Sequence, residues 1–311
     1  MTDFYGTKTG LFNALFLAVS AFTNAGFDCF ASDSLVTFAT DPLINFTDIF
    51  LIITGGLGFM VRFEINNVLR ERLKQGTVIN PSVKRLSLHA RVVLKATFLL
   101  LGTGALFFLM FESRNPGTLS FQTSSEKMLV SLFQSVTLRT AGFATVNIGR
   151  CTRPMLLIMC IYMLIGGSPG GTAGGIKTTT AVVLVRTAMN SMNSEHKDAV
   201  ISHKRISPML LRHAFTIVTL YFSIIFIMTV FLTITEPGTN LLPLLFEVFS
   251  AIATVGISTG ITASLSAGGK IIIMILMFIG RLGPLSVYMA FHKEEKAGNH
   301  VRYPDANIII G

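Results

Sequence analysis

The chain alternates between long apolar segments and short polar ones. Two apolar runs, 89–111 and 210–234, are long enough to cross a bilayer as single helices, since about 20 helical residues span ~30 Å. The runs 43–61 and 270–291 have a similar length, although each contains a break of small residues. The pattern therefore predicts an all-α protein with four helices of membrane-crossing length.

Three shorter apolar runs behave differently. They cover 11–22, 126–137 and 243–253. About a dozen helical residues extend over only ~18 Å, which is too short to cross the membrane. We expect re-entrant half-helices here, each ending in a segment around a single glycine, namely Gly26, Gly142 or Gly256.

These glycines lie about 115 residues apart and mark an internal repeat. Each unit has the same order of features: an outer turn (YGT or PGT), a half-helix, a glycine segment, and an inner helix with a small-residue break. The breaks are ITGGLGF, LIGGSPG and FIGRLGP. We predict a partial pore unit, two complete units and a cytoplasmic tail, over 1–75, 76–200, 201–292 and 293–311.

Composition and charge place these helices in a membrane. Hydrophobic residues make up 51% of the chain and charged residues only 13%, whereas a soluble domain carries about 25% charged residues. The Lys and Arg residues cluster at 62–95, at 186–212 and in the tail, which the positive-inside rule assigns to the cytoplasm. We expect a multi-pass cell-membrane protein and no nucleic-acid partner. The basic loops set topology alone or also dock an acidic cytosolic partner.

The glycine segments carry the first candidate chemistry. Irregular backbone at membrane depth leaves carbonyl groups without partners, and carbonyls that face a common axis can replace the water around a cation. Asp28 is the only acidic residue in these segments, which favours a monovalent ion; Arg139 is expected behind the pore. Glycines that only allow close helix packing are the alternative. The candidate ion-binding residues are Asn24, Ala25, Gly26, Thr140, Ala141, Gly142, Thr254, Val255 and Gly256.

Several motifs in order resemble the Trk/Ktr/HKT superfamily of potassium transporters, and most closely its bacterial Ktr-type membrane subunit. They are SAFTNAGF, SVTLRTAGF, GGSPGGTAGGIKTTT, FSAIATVGIST, MFIGRLGPL and RYPDANIIIG. The resemblance implies tandem helix–pore-helix–helix repeats around a central, potassium-channel-like pore. The family has four repeats, so we expect a chain that is truncated at its N-terminus and lacks the first repeat.

The segment 166–180 interrupts an apolar run with six glycines and a proline, which exclude a helix and predict an irregular loop inside the membrane. It resembles the family's intramembrane loop, and we interpret it as a gate. Arg281, a charge within an inner helix, is expected to meet the loop's carbonyls and hold it shut. A passive hinge and a packing cation are the alternative. The candidate gate residues are Gly166, Gly167, Ser168, Pro169, Gly170, Gly171, Thr172, Gly174, Gly175, Lys177 and Arg281.

The predicted function is potassium uptake by the pore-forming subunit of a Ktr/Trk-type system. The resemblance implies a homodimer and a cytosolic nucleotide-binding ring, with no cofactor on this chain besides transported potassium or sodium. A sodium-permeable or other secondary cation carrier and a non-conducting remnant stay open. Enzyme chemistry is not predicted, because Ile176 separates Gly175 from Lys177 and breaks the phosphate-loop pattern. Scattered Cys and His residues predict no metal site.

Overall fold

The structure, a computed structural model, describes residues 6–30, 34–75, 86–192, 200–201, 204–284 and 286. Within these residues most of the chain is helical. One small antiparallel hairpin, β1 (Val200–Ile201) and β2 (Lys204–Arg205), pairs Val200 with Arg205. The helices are α1 (Thr7–Thr23), α2 (Pro42–Gly56), α3 (Phe59–Gln75), α4 (Leu88–Glu112), α5 (Ser124–Thr137), α6 (Arg153–Leu164), α7 (Thr178–Met192), α8 (Pro208–Thr235), α9 (Leu241–Ile252) and α10 (Ala267–Leu282).

Two of the described helices, α4 and α8, are long and apolar enough to cross a membrane, with 25 and 28 residues, as the sequence predicts. Each begins at a capping serine. Ser87 accepts a hydrogen bond from the Ala90 N–H at 3.1 Å, and Ser207 accepts one from the Leu210 N–H at 3.3 Å. Their outward faces are apolar: Phe98 on α4 is 82% exposed, as expected of a side chain in contact with lipid.

The runs 43–61 and 270–291 are both broken. Neither forms a single helix of membrane-crossing length, which corrects the prediction of four such helices. α2 ends at Gly56, and α3 begins after a bend of 107°. Gly58 lies in the bend with a φ of +82°, a conformation that glycine adopts at low cost. α10 ends at Leu282, and part of the remaining run lies outside the described residues.

The three shorter apolar runs form α1, α5 and α9. α5 and α9 have 14 and 12 residues, close to the predicted dozen. α1 is longer, with 17 residues, because the helix starts at Thr7 and its first turn is polar, so the apolar pattern does not mark its beginning. α5 begins with a capping box, in which Thr123 and Glu126 each satisfy a backbone N–H of the other.

The short helices pack between the longer ones. α5 contacts both α4 and α2, α1 lies against α2, and α9 contacts α6, α8 and α10. The rings of Phe133, Phe143 and Phe246 are fully buried in the two larger apolar clusters that these contacts create. Close-packed interiors have low compressibility. The packing therefore fixes the positions of the C-terminal ends of the short helices, where the glycine segments start.

A carboxylate at the end of each long helix holds the start of the next inner helix. Glu112, the last residue of α4, accepts hydrogen bonds from the N–H and hydroxyl of Thr152, the N-cap of α6, at 2.8 and 2.7 Å. Glu236, the C-cap of α8, accepts the equivalent bonds from Ser266, the N-cap of α10, at 2.8 and 2.5 Å. The two repeats therefore share one clamp between a long helix and an inner helix, which the sequence analysis did not predict.

We predict that Glu112→Ala destabilises the protein by roughly 3 kcal/mol, because four hydrogen bonds lose their acceptor and the Glu112 side chain is fully buried. Glu236→Ala, at a half-buried site with two such bonds, is the matched control and should cost less than about 1 kcal/mol. Thermal unfolding of purified protein in detergent measures both. Equal losses of stability would show that burial does not set the strength of the clamp.

Candidate functional site: three converging glycine segments and the loop beneath them

The three glycine segments, which we call the filter segments (24–26, 140–142 and 254–256), lie directly against one another. A Cβ atom added to Gly26 would lie 2.7 Å from the Ala141 carbonyl oxygen. One added to Gly142 would lie 2.6 Å from the Val255 carbonyl oxygen and 2.8 Å from the Gly26 Cα. No side chain fits at these distances, so the convergence itself requires glycine at both positions.

Each filter segment uses the same backbone turn. The residue two positions before the glycine is left-handed, with φ of +52° at Asn24, +67° at Thr140 and +55° at Thr254. The glycines follow with φ between +72° and +91°. A left-handed conformation is a genuine outlier for the β-branched threonine. Strain of this kind concentrates at functional sites, where the surrounding structure enforces it.

Within the described residues, the carbonyl oxygens of the filter segments have no hydrogen-bond donor. The N–H groups of Ala25 and Val255 bond back to their helices, at Ser20 and Ser250, with lengths of 2.9 and 2.8 Å. Between described residues, however, no hydrogen bond ends on a carbonyl oxygen of any of the nine candidate ion-binding residues. Since carbonyl groups at membrane depth need partners, the segments present an acceptor-rich site that suits a cation.

A cavity of about 780 Å³ opens on one side of the filter segments, and all three of their glycines line it. Its other lining residues come from the stretches that follow each filter segment and from the outer turn at Gly117. Asp28 is among them, and its carboxylate accepts hydrogen bonds from the Phe30 N–H and the Ser34 hydroxyl, at 3.1 and 2.8 Å. Asp28 thus lines the cavity and orders the stretch that follows the first filter segment.

A polar side chain on each short helix braces the stretch after its own filter segment. Ser20 accepts a hydrogen bond from the Phe27 N–H at 2.9 Å, and Gln134 donates one to the Thr145 hydroxyl at 3.0 Å. Glu247 accepts three, from one N–H and two hydroxyl groups between residues 258 and 262. All three side chains are at least 95% buried. The sequence analysis missed them; a buried polar residue in the middle of an apolar helix was the available signal.

The glycine-rich loop 166–177 lies on the other side of the filter segments and docks into the α2–α3 bend. The Ser168 N–H donates to the Gly56 carbonyl at 3.0 Å, and its hydroxyl donates to the carbonyls of Gly56, at 3.1 Å, and Leu57. In return, the Phe59 N–H donates to the Gly170 carbonyl at 3.2 Å. The loop is irregular as predicted, and the Ser168 hydroxyl pairs with backbone carbonyls of the bend.

Two charged side chains contact the loop. Arg281, near the end of α10, donates from Nη1 to the Thr172 carbonyl at 3.0 Å, which is the type of contact that the sequence analysis expected. Lys177 donates from Nζ to the Ala173 carbonyl at 2.7 Å. The two charged side chains therefore donate hydrogen bonds to neighbouring carbonyls of the same loop. Arg281 does so from outside the loop and Lys177 from its last residue.

Arg139 lies away from the cavity, in line with the expectation that it does not face the ions. Its side chain is only 4% exposed, and its Nε and Nη2 atoms have no hydrogen-bond partner among the described residues. Arg139 contacts the first filter segment through its backbone, because its carbonyl accepts a hydrogen bond from Asn24 Nδ2 at 3.3 Å. Within the described residues, no cluster of His, Cys, Asp and Glu could hold a metal ion.

The comparisons with known proteins all find proteins named for cation transport or uptake. The family model described as TrkH, cation transport protein, matches residues 4–303. The Ktr system potassium uptake protein B of Bacillus subtilis is 37% identical over 308 residues, which cover 99% of this chain and 65% of that protein. The potassium/sodium uptake protein NtpJ of Enterococcus hirae is 36% identical, with 99% and 66% covered. The chain thus spans about two thirds of the length of these relatives.

The fold matches a solved structure as well. The crystal structure of the potassium transporter TrkH from Vibrio parahaemolyticus superposes with a TM-score of 0.68 at 17% sequence identity, over 91% of this chain and 62% of that one. At this identity the likeness establishes a shared fold. It agrees with the helical, membrane-type architecture described above.

We predict that Gly142→Ala is more damaging than Gly256→Ala. Both glycines have nearly the same φ, +91° and +90°, but a Cβ at Gly256 would meet nothing closer than 3.7 Å, whereas one at Gly142 would collide with backbone on both sides. The shared backbone strain cancels in the comparison, and the collision should lower the melting temperature in detergent by about 5 °C more. Equal losses for the two variants would show that the segments do not converge as described.

Proposed function

The chain belongs to the TrkH family of cation transport proteins, a family of membrane transporters and not of enzymes, and on that premise we propose that it forms the ion-conducting path of a potassium uptake system. The observation that carries this proposal is the set of filter segments, whose glycines meet at one end of a polar cavity. Backbone carbonyls placed this way can replace the hydration shell of a monovalent cation.

In this proposal the cation enters from the cavity, loses water at the filter segments, and then meets the glycine-rich loop. The loop lies beneath two of these segments and acts as the gate. Arg281 stabilises the closed position through its bond to the Thr172 carbonyl, and its charge together with that of Lys177 opposes the passage of cations. Opening requires that the loop leave the α2–α3 bend, where Ser168 holds it.

We also propose that a separate cytosolic component controls the loop, and that the transporter is a homodimer. The α3 helix follows the bend directly and carries basic residues, of which Arg70 is exposed. A nucleotide-binding ring that docks on this basic surface would pull on the bend and hence on the loop. The nucleotide would bind the ring, and this chain would hold only the transported ion.

A sodium-permeable transporter is the second candidate function. The relative from Enterococcus hirae, which is 36% identical, is named a potassium/sodium uptake protein. Carbonyl coordination alone does not favour potassium over sodium by charge, since both ions are monovalent, and selectivity depends on the spacing and rigidity of the carbonyls. Competition between the two ions separates these candidates.

We predict that expression of the protein in a strain without potassium uptake restores growth at low potassium and rubidium influx. The 311-residue chain and the chain extended by any sequence encoded upstream should be tested side by side. Rubidium influx that sodium suppresses at equal concentration would favour the sodium-permeable candidate. Membrane-inserted protein that gives neither growth nor influx in either form would count against potassium transport and favour a non-conducting remnant.

We predict that Arg281→Ala raises rubidium influx about fivefold, because an exposed hydrogen bond of roughly 1 kcal/mol no longer holds the loop. Lys270→Ala is the matched control: it removes an exposed cation from the start of the same helix and should leave the influx unchanged. Equal influx in Arg281→Ala and the unmodified protein would contradict the role of Arg281 as a latch.

A further inference from the structure

The glycine-rich loop touches the filter segments directly, at two points. The Thr172 hydroxyl donates a hydrogen bond to Asn24 Oδ1 at 3.1 Å, which joins the loop to the first filter segment. Gly174 lies against the third filter segment so closely that a Cβ there would collide with the Thr254 hydroxyl and lie 2.8 Å from the Ala253 carbonyl. The loop and the filter segments are therefore in contact, with no layer of residues between them.

Asn24 extends this contact to a second filter segment. Its side chain is only 7% exposed. While Oδ1 accepts the bond from Thr172, Nδ2 donates to the Arg139 carbonyl at 3.3 Å, just before the second filter segment. One buried amide thus joins three pieces of irregular backbone. A displacement of Thr172 changes the position of Asn24, and with it the spacing between two filter segments.

The chemistry of this position is specific to the first filter segment. The equivalent residues are Thr140 and Thr254, whose short side chains carry one hydroxyl each, whereas an amide supplies a donor and an acceptor on opposite atoms. Asparagine also tolerates the left-handed conformation better than threonine, so backbone preference alone would explain its presence. A glycine at this position separates the two explanations, because it keeps the conformation and removes both hydrogen bonds.

We infer that the hydrogen bond between Thr172 and Asn24 couples the gate to the filter, so that the ion selectivity of the filter depends on whether this bond is made. The inference rests on the proposed function and names two positioning residues within it. Opening releases the loop at Ser168 and keeps this bond, whereas loss of the bond relaxes Asn24 and the carbonyl spacing that it supports. Because coupling between sites is reciprocal, an ion in the filter also favours one position of the loop.

The loop offers a matched pair of hydroxyl groups for the test. Ser168 and Thr172 both hold the loop, but Ser168 bonds to the α2–α3 bend and Thr172 bonds to the filter. Thr172→Val removes the hydroxyl at nearly constant shape, Thr172→Ser keeps it, and Ser168→Ala loosens the loop without touching the filter. Asn24→Gly removes the same bond from the other side.

The experiment measures rubidium influx by the full protein in cells lacking potassium uptake, with potassium or sodium as competitor. The inhibition constant for sodium divided by that for potassium gives the selectivity for potassium. We expect Thr172→Val and Asn24→Gly to lower this ratio about fivefold, the change that one neutral hydrogen bond supports. Thr172→Ser should keep the ratio, and Ser168→Ala should raise influx with the ratio unchanged.

Two results would overturn the coupling alone: a Thr172→Val variant that changes influx but keeps the ratio, or a Ser168→Ala variant that lowers the ratio equally. If Thr172→Val fails to reach the membrane, Asn24→Gly decides the question with the same readout. Absence of rubidium influx from the unmodified protein would instead overturn the proposed function, and this inference with it.

Discussion

Irregular backbone at membrane depth must find hydrogen-bond partners within the protein, and the rest of the structure depends on this constraint. The chain meets it by placing its irregular segments against one another. The loop at 166–177 pairs with the α2–α3 bend through Ser168 and Phe59, and it pairs with itself where the Gly166 N–H donates to the Ile176 carbonyl at 2.9 Å. The hydrogen-bond partners of the loop at the α2–α3 bend thus fix its place beneath the filter segments.

The filter segments are the exception, and the exception gives them their chemistry. Their carbonyl groups accept no hydrogen bond from the described residues, while the stretches on either side are braced by buried groups such as Glu247. On the proposed function, such a frame would let a cation exchange its water for carbonyls with little rearrangement of the protein. The strained turns at Thr140 and Thr254 persist for the same reason.

Local pattern explains which features the sequence predicts. The long helices α4 and α8 follow from the length of their apolar runs, and the positions of the filter glycines follow from a motif that recurs three times. The break between α2 and α3 follows from the small residues of ITGGLGF, but its angle of 107° does not, because small residues mark a break without setting the direction of the next helix. The early start of α1 does not follow either, because a polar first turn carries no apolar signal. The clamps at Glu112 and Glu236 are also invisible to pattern, since each joins residues that are 30 or more positions apart.

The central claim is that the filter segments bind a monovalent cation. The most direct test is the melting temperature of the purified protein, measured first in choline chloride. Potassium or rubidium then replaces choline at constant ionic strength. A cation that binds only the folded state stabilises it by about 2.7 kcal/mol at a concentration of 100 times its Kd. The account predicts a melting temperature that rises with the concentration of potassium or rubidium and a rise that Gly142→Ala abolishes. A melting temperature that no alkali cation changes, or a rise that survives in Gly142→Ala, would contradict it.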